Sequence, residues 1–342
     1  MNIKEIAEIV GVSSATVSRV INNSGSVKEE TRQKVLAAIE KYNYVPSQVA
    51  RSLSTNDTSI IGVIIPDIEN PFFSGVIRGI SEVAEQNKYN IMFFGTNETP
   101  SIEHSYLQIA LAERLKGVII TPISENDKHT RDMLIRLKQA GVPVVLVDRD
   151  ISDVEIDGVF IDNKAGAYQG VNALIDEGHR KIGIIKGPSR SKPGRDRFLG
   201  YLKAMEDGEL MVRDEYIAKG NFKIDMAYER TKELLSLDDP PTAIFTSNNF
   251  TTIGCLKALT ELDLTIGKDI SVIGFDEIQI LKDIDYKLSV IERDAILQGR
   301  EAMNILLARL EETERTDKYI KKILPHRIIL RGSEKIRTTN NI

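Results

Sequence analysis

The central part of the chain carries a pattern that occurs twice, and this repeat constrains the fold more than any other feature. Short β-rich apolar runs alternate there with helical patterns, which is the signature of a parallel α/β sheet. Residues 60–66 are echoed by residues 181–188, and residues 142–150 by residues 270–277, at a nearly constant spacing. The repeat predicts two similar doubly wound lobes. Ligands bind outside the carboxyl ends of such sheets, so we expect a ligand cleft between the lobes.

The N-terminal residues predict two short helices that meet at a glycine. Asn2 can cap the first helix, Glu5 completes a capping box, and Gly11 permits the left-handed conformation that ends the helix. Ser13 can cap the second helix. Such a unit can lay its second helix in the major groove of DNA. On spacing alone, an ordinary helical hairpin is the alternative.

A further capping-box pattern at residues 26–29 predicts a third helix, which would extend to about Tyr42. Its core face would carry Val35, Leu36 and Ile39, which recur at helical spacing. The three helices together would form a small headpiece.

The composition is typical of a soluble globular protein with more than one domain. The chain has 342 residues, a net charge of −5 and one cysteine, Cys255, which excludes an intrachain disulfide. It has no apolar run of membrane-spanning length and no signal-peptide core, so we expect a cytoplasmic protein without membrane association. Residues 1–58 hold seven basic and six acidic side chains. A DNA-binding function therefore rests on the motif rather than on charge.

Three stretches resemble the LacI/GalR family of bacterial transcription regulators. Residues 6–22, Ile-Ala-Glu-Ile-Val-Gly-Val-Ser-Ser-Ala-Thr-Val-Ser-Arg-Val-Ile-Asn, resemble its DNA-binding headpiece. Residues 44–53, Tyr-Val-Pro-Ser-Gln-Val-Ala-Arg-Ser-Leu, resemble its hinge, and residues 61–67, Ile-Gly-Val-Ile-Ile-Pro-Asp, resemble the first strand of its core. The resemblance extends to about Arg331. It implies an all-α helix-turn-helix headpiece followed by an α/β core of two lobes, like that of the periplasmic sugar-binding proteins.

The resemblance and the repeat together predict the domain organisation. We expect the headpiece at residues 1–46, a hinge helix and linker at 47–59, the core at 60–333 and a polar tail at 334–342. In the family the chain crosses between the lobes again near Ile291 and Ile323. The first lobe would therefore hold about residues 60–161 and 291–321, and the second about residues 162–290 and 322–333.

The second helix presents the side chains that would contact an operator. Arg19 can bond guanine with two hydrogen bonds or clamp a phosphate, although a solvated surface arginine is the alternative. By the resemblance, Ser14 and Ala15 occupy the two positions at which family members differ in operator choice. The full set expected at the DNA from this helix and its ends is Ser13, Ser14, Ala15, Thr16, Ser18, Arg19 and Asn22.

An apolar residue, Leu53, ends the polar segment next to the linker. By the resemblance, the hinge helices of two subunits pair in the minor groove, and each inserts this leucine into a base step. Ala50 is small enough to let the two helices approach the groove closely. Packing of Leu53 in the headpiece core is the alternative.

Side chains typical of a sugar site follow the strands of both lobes. Such sites combine aromatic faces with charged planar groups that bond hydroxyls. By resemblance to ribose-type and galactoside-type regulators, we expect effector contacts from Phe72, Phe73, Asp148, Arg149, Arg197, Phe222, Asn248, Asp276 and Arg293. Taken singly, the two phenylalanines could be core residues and Asp148 a helix cap. Their common location at strand ends that face one cleft favours a shared site.

One of these residues departs from the family pattern. Arg293 stands where sugar-binding relatives usually have glutamine. Together with Arg149 and Arg197 it gives three positive side chains against two negative ones, Asp148 and Asp276. We therefore expect an effector that carries an acidic group, such as a sugar acid or a sugar phosphate.

Asn304 is a second departure, since the global catabolite regulator of Gram-positive bacteria has there an arginine that contacts its phosphoprotein partner. A regulator with its own small-molecule ligand is therefore favoured, and the global regulator stays the alternative. The sequence has no phosphate-binding loop and no dinucleotide-binding glycine motif, and its four histidines lack metal-ligand spacing. We expect no enzyme activity, no cofactor and no metal.

The expected partners are double-stranded operator DNA, a small carbohydrate effector and a second copy of the chain. The tetramerising helix of the lactose repressor has no counterpart after Arg331, which favours a homodimer. Effector binding would change the orientation of the lobes across the dimer and so the spacing of the hinge helices. The sequence leaves open whether the effector releases DNA or promotes its binding.

Overall fold

The computed structural model describes residues 1–21, 24–44, 58–312 and 318–335. The chain forms two compact units, which divide after Thr58. The first unit is helical, and the second is built on two sheets. Within the described ranges, no helix is both long and apolar enough to cross a membrane.

The described part of the first unit contains α1 (Ile3–Val10), α2 (Ser14–Ile21) and α3 (Glu29–Lys41). The predicted ends of α1 are confirmed, because Asn2 and Glu5 form the capping box and Gly11 ends the helix with a φ of 72°. Apolar side chains three and four residues apart on each helix face the other two helices. They bury one small cluster, which consists of Ile6, Ala7, Val17, Val20, Val35 and Ala38.

The predicted start of α3 is wrong. The helix begins directly after Lys28, no side chain caps it, and residues 26–29 are therefore not a capping box. Val27 packs against the headpiece cluster instead, which holds the preceding chain outside the helix. Leu36 was also assigned to the core, but it is 44% exposed, and Ala38 takes a core position.

The first lobe of the second unit is a six-stranded parallel sheet. Its strands are β1 (Ile60–Ile65), β2 (Asn90–Gly95), β3 (Gly117–Ile120), β4 (Val144–Val147), β5 (Asp157–Ile161) and β11 (Lys321–Leu324), in the order β11-β5-β4-β3-β1-β2. The helices that cover it are α4 (Pro71–Gln86), α5 (Pro100–Ala112), α6 (Lys128–Gln139) and α12 (Ala295–Glu311). Helices on both faces bury the central strands, which explains why these strands read as continuous apolar runs.

The second lobe repeats this arrangement. Its strands are β6 (Ile182–Lys186), β7 (Ile217–Lys219), β8 (Ala243–Thr246), β9 (Ser271–Phe275), β10 (Ser289–Arg293) and β12 (His326–Ile329), in the order β12-β10-β9-β8-β6-β7. All pair in parallel except β12. The helices of this lobe are α7 (Asn163–Asp176), α8 (Lys192–Asp207), α9 (Ile224–Leu235), α10 (Asn249–Glu261) and the short α11 (Gln279–Asp283). The predicted fold class, a helical headpiece with two doubly wound lobes, is confirmed.

In the described residues the chain passes between the lobes after β5, between β10 and α12, and between β11 and β12. β10 keeps its partner β12 through Arg293, and β11 keeps its partner β5 through Leu324. The last two crossings therefore follow Arg293 and fall at Pro325. The expected lobe limits at residues 291 and 322 are each too early, because β10 and β11 stay hydrogen-bonded to their neighbouring strands through their last residues.

The polar tail expected from residue 334 also begins too early. Glu334 is 2% exposed, and its carboxylate accepts hydrogen bonds from the Gly332 amide (2.9 Å) and the Ser289 hydroxyl. Its carbonyl oxygen lies 3.1 Å from Nε2 of His179. Glu334 is thus part of the second lobe, while residues 336–342 lie outside the described residues.

Helices α4 and α12 cross with their backbones in contact. A Cβ atom added to Gly79 would lie 2.0 Å from the carbonyl oxygen of Ile296, and one added to Gly299 would lie 2.0 Å from that of Val76. No side chain fits at that separation, so glycine is required on both helices. The crossing fixes α12, which arrives from the second lobe, onto the first.

We expect Gly79→Ala to lower the free energy of unfolding by about 1–3 kcal/mol, because the helices must separate to admit the methyl group. Gly95→Ala is the matched control, since no atom lies within 4 Å of the added carbon there. Urea denaturation of the two full-length variants measures the difference. Equal stability would contradict the close crossing.

Candidate functional site

The two lobes place an aspartate at the same point of their sheets. Asp148 follows β4 and Asp276 follows β9, and both have a left-handed backbone, with φ of 68° and 74°. Non-glycine residues rarely adopt this conformation, and such exceptions cluster at ligand sites. Both residues are buried. The repeat therefore delivers one buried carboxylate from each lobe to the cleft.

Arg293, the last residue of β10, joins these two carboxylates across the cleft. Its Nε donates to Oδ1 of Asp276 (2.6 Å), and its Nη1 donates to Oδ1 of Asp148. The guanidinium carbon lies 3.4 Å from the ring centroid of Phe72, so the planar group stacks on that aromatic face. The charged side chains are 4–5% exposed. Four predicted effector residues thus meet at one point between the lobes.

Arg197 on α8 is fully buried beside this group. Its Nε donates to Oδ1 of Asn163 (2.8 Å), and its Nη1 donates to the carbonyl oxygen of Ser247 (2.6 Å). The guanidinium carbon lies 3.6 Å from the Phe275 ring centroid, and Nη1 lies 3.9 Å from Asp276. Burial is the main cause that lowers the pKa of Arg197 to about 9, against the attraction of Asp276. The side chain is therefore still a cation at neutral pH.

Arg149 is paired with a residue that the sequence analysis missed. Its Nη2 and Nη1 donate to the two carboxylate oxygens of Glu98 at 2.6 and 3.1 Å. Burial opposes ionisation of Glu98, but Arg149 outweighs it, and the pKa of Glu98 is lowered. The repeat could have revealed this residue, because Glu98 follows β2 as Phe222 follows β7. The two residues also share a positive φ, of 55° and 58°.

The remaining predicted effector residues lie around this centre. Phe222 is buried, with its ring centroid 6.0 Å from the Arg197 guanidinium carbon. Phe73 packs edge-on against Phe72, at 5.0 Å between the ring centroids. Asn248 caps α10, where its side chain accepts a hydrogen bond from a backbone amide. Asn248 therefore has a structural role that is sufficient by itself.

Polar contacts between the lobes close the cleft. Nδ2 of Asn249 donates to Oδ1 of Asn70 (2.9 Å), and both residues are buried. At the rim, the Glu125 amide donates to the carbonyl oxygen of Arg190 (3.2 Å), and the Glu125 carboxylate pairs with Arg195. The Asn70 side chain both caps α4 and spans the cleft.

Several buried polar atoms at the cleft have no hydrogen-bond partner. Among the described residues, the unpartnered buried side-chain atoms are Thr96 Oγ1, Arg149 Nε, Arg197 Nη2 and Gln298 Oε1. The first three follow strands or line the cleft of the core. An unsatisfied buried polar group is costly, so each of these atoms would gain from a further hydrogen bond.

The described ranges offer little support for metal binding or for a reactive thiol. No group of three or more histidine, cysteine, aspartate or glutamate side chains there could hold a metal ion. His104 forms a hydrogen bond with Asp127 (3.0 Å), and its ring packs against His129 with the centroids 4.2 Å apart and the planes tilted by 39°. Cys255 is fully buried, and burial raises the pKa of its thiol to about 12. A thiol of this kind is inert as a nucleophile.

The helix-turn-helix unit presents its predicted residues in a defined way. The Ser13 hydroxyl accepts a hydrogen bond from the Thr16 amide (3.2 Å), so Ser13 caps α2 as predicted. Ala15 and Arg19 are exposed on that helix, and Ser14 is partly exposed, as are Thr16 and Ser18. The expected contacts Asn22, Ala50 and Leu53, with hinge residues 47–57, lie outside the described residues.

Fold and sites together define a class of protein: a helix-turn-helix DNA-binding unit combined with a two-lobed core that binds a small ligand. Comparison with known families identifies it further. Residues 2–47 match the model of bacterial regulatory proteins of the lacI family, and residues 58–328 match periplasmic binding proteins and the sugar-binding domain of the LacI family. The chain belongs to the LacI family.

Individual relatives cover nearly the whole chain. It is 34% identical over 309 residues to the HTH-type transcriptional repressor PurR of Actinobacillus pleuropneumoniae serotype 3, covering 90% of this chain and 91% of that protein. It is also 34% identical over 336 residues to catabolite control protein A of Priestia megaterium, covering 98% and 99%.

Solved structures agree with the fold. The lac repressor dimer bound to operator and an anti-inducer is 25% identical, with a TM-score of 0.84 and coverage of 98% of this chain and 99% of that one. A LacI family regulator from Enterococcus faecium with bound ribose is 27% identical, with a TM-score of 0.72 and coverage of 81% and 98%.

We expect Glu98→Ala to lower the free energy of unfolding by about 2 kcal/mol, because it leaves the buried Arg149 guanidinium without its anion. Glu82→Ala is the control, since the arginines that Glu82 pairs with, Arg78 and Arg300, are largely exposed. Denaturant titration of both variants measures the difference. A loss no larger for Glu98→Ala than for Glu82→Ala would contradict this role.

Proposed function

We propose that this chain is a transcription repressor that binds a palindromic operator as a homodimer and responds to a small carbohydrate in the cleft. The observation that carries the proposal is the group of Phe72, Asp148, Asp276 and Arg197 at the closed junction of the lobes. An aromatic face, two carboxylate acceptors and a buried guanidinium with an unpartnered Nη2 suit a ring that bears hydroxyl groups.

The charges of the cleft favour a neutral carbohydrate over an acidic one. The sequence hypothesis of an acidic effector rested on three arginines against two aspartates. Glu98 supplies the missing negative charge and takes Arg149, while Arg293 is held by both aspartates. No arginine excess is left to attract an anion. The E. faecium relative with bound ribose makes a pentose the first candidate.

Exposed apolar side chains on both lobes support dimer formation. Met92 and Phe93 on β2, an edge strand, are 36% and 43% exposed, and Ile280 and Ile284 at α11 are 65% and 64% exposed. Large exposed apolar side chains that recur together mark interaction sites. The operator-bound lac repressor is itself a dimer. We assign these residues to contact with a second copy, which would place two headpieces on two operator half-sites.

A binding function accounts for the cleft better than catalysis does. Asp148 and Asp276 both pair with Arg293, so neither carboxylate is placed to act as a general acid or base. A global catabolite regulator is the alternative, because the chain is as similar to catabolite control protein A as to the transcriptional repressor PurR. Asn304, exposed on α12, lacks the charge by which such a regulator would contact a phosphoprotein.

We expect D-ribose to raise the melting temperature of the full chain more than gluconate or ribose 5-phosphate, since a ligand at 100 times its Kd adds about 2.7 kcal/mol to stability. Arg197→Ala should abolish this shift in melting temperature yet keep operator affinity, because the contacts of Arg197 lie in the core and not in the headpiece. Arg230→Ala, on the surface of α9, is the control. A shift with the acids alone would restore the acidic effector, and no shift at all would favour the catabolite regulator.

We expect Arg19→Ala to weaken operator binding by about 1–3 kcal/mol, which is the contribution of a bidentate contact to guanine. Lys34→Ala is the control, because Lys34 lies on α3 and pairs with Glu30 (2.8 Å). Leu53→Ala should also weaken specific binding without changing effector affinity. Fluorescence anisotropy at one fixed salt concentration measures all three. If Arg19→Ala left operator affinity unchanged, α2 would not be the helix that reads the bases.

A further inference from the structure

The side chain of Arg293 occupies the place in the cleft where the aromatic and acidic groups converge. Its guanidinium lies on the face of Phe72 and bonds a carboxylate from each lobe. A guanidinium is planar and rigid, stacks on aromatic rings and presents several N–H donors in one plane. A sugar ring offers such a site comparable contacts, with an apolar face for stacking and hydroxyl donors at its edge.

We propose that Arg293 is an internal ligand, which holds the lobes closed without an effector and which a carbohydrate effector must displace. The part about the effector rests on the proposed function, whereas the part about closure rests on the contacts of Arg293 alone. Arg293 is then the residue that sets the affinity of this cleft for a neutral sugar.

The charges explain why Arg293 favours the closed arrangement. Asp148 and Asp276 would be two buried carboxylates of like charge if the lobes closed without a cation between them. Burial works against a cation as well, yet the attraction of the two aspartates outweighs it and raises the pKa of Arg293. Arg197 does not replace it, because its nearest approach to Asp276 is 3.9 Å and two of its nitrogens are held elsewhere.

The position of Arg293 in the chain allows its side chain to move while its backbone stays in place. Its backbone is fixed, since it pairs with His326 in the ladder between β10 and β12 and the next residue, Asp294, caps α12. Displacement of the guanidinium therefore breaks its contacts with Asp148, Asp276 and Phe72 and leaves the strand ladder in place.

The test compares the wild-type chain with Arg293→Gln. Glutamine keeps one hydrogen-bonding end but has neither the charge nor the reach to join both carboxylates. Spin labels on Asn126→Cys and Ser189→Cys, exposed residues on opposite sides of the cleft mouth, report the distance between the lobes by pulsed electron resonance. Cys255 is buried and takes no label.

We expect the wild-type chain to give the short distance with and without D-ribose. Arg293→Gln should give a longer distance that ribose shortens, and its ribose affinity by calorimetry should rise by about tenfold or more, since tenfold corresponds to 1.4 kcal/mol. Arg230→Gln should behave as wild type in both measurements. Arg293→Lys keeps the charge without the bridging fork and should give an intermediate distance, which also serves if Arg293→Gln fails to fold.

Equal distances for the unliganded wild type and Arg293→Gln would overturn the proposal, as would equal ribose affinities. If the distances differ but neither protein binds ribose, internal closure stands and the carbohydrate effector fails.

Discussion

One cation between two anions is the interaction on which the arrangement of the core depends. Asp148 and Asp276 come from equivalent points of a duplicated fold, so closure of the lobes brings like charges together. Buried charges are tolerated only when they are paired, and Arg293 supplies the pair for both. The other interlobe contacts, from Asn70 at the cleft floor to Glu125 at its rim, add to a closure that is already electrically balanced.

Duplication explains most of what the sequence could predict. Strands buried on both faces read as apolar runs, so two similar sheets are visible as a repeat. The site residues came from the family resemblance, and the shared edge at the carboxyl ends of parallel strands explains why they lie together. Phe72, Asp148, Arg197, Asp276 and Arg293 all lie there, in contact or within a few ångströms of one another.

The sequence alone could not predict which distant side chains would pair. Composition counts charges but does not say which carboxylate meets which arginine, and so Glu98 and its hold on Arg149 were missed. The same limit applies to Arg293, which counts as one more cation in the sequence but pairs with both aspartates in the structure. At residues 26–29 a local capping pattern competed with burial of Val27, and burial prevailed. Tertiary contacts decide such cases, and a linear pattern does not contain them.

The crossing of α4 and α12 has a consequence for the order in which the molecule is assembled. The first lobe is not a continuous stretch of chain, because α12 and β11 reach it only after strands β6 to β10 of the second lobe have been passed. During synthesis, the face of α4 around Gly79 has no partner until Gly299 emerges from the ribosome. The first lobe, although earlier in sequence, therefore cannot finish folding until most of the second has been synthesised, and in the interval part of its apolar surface has no partner.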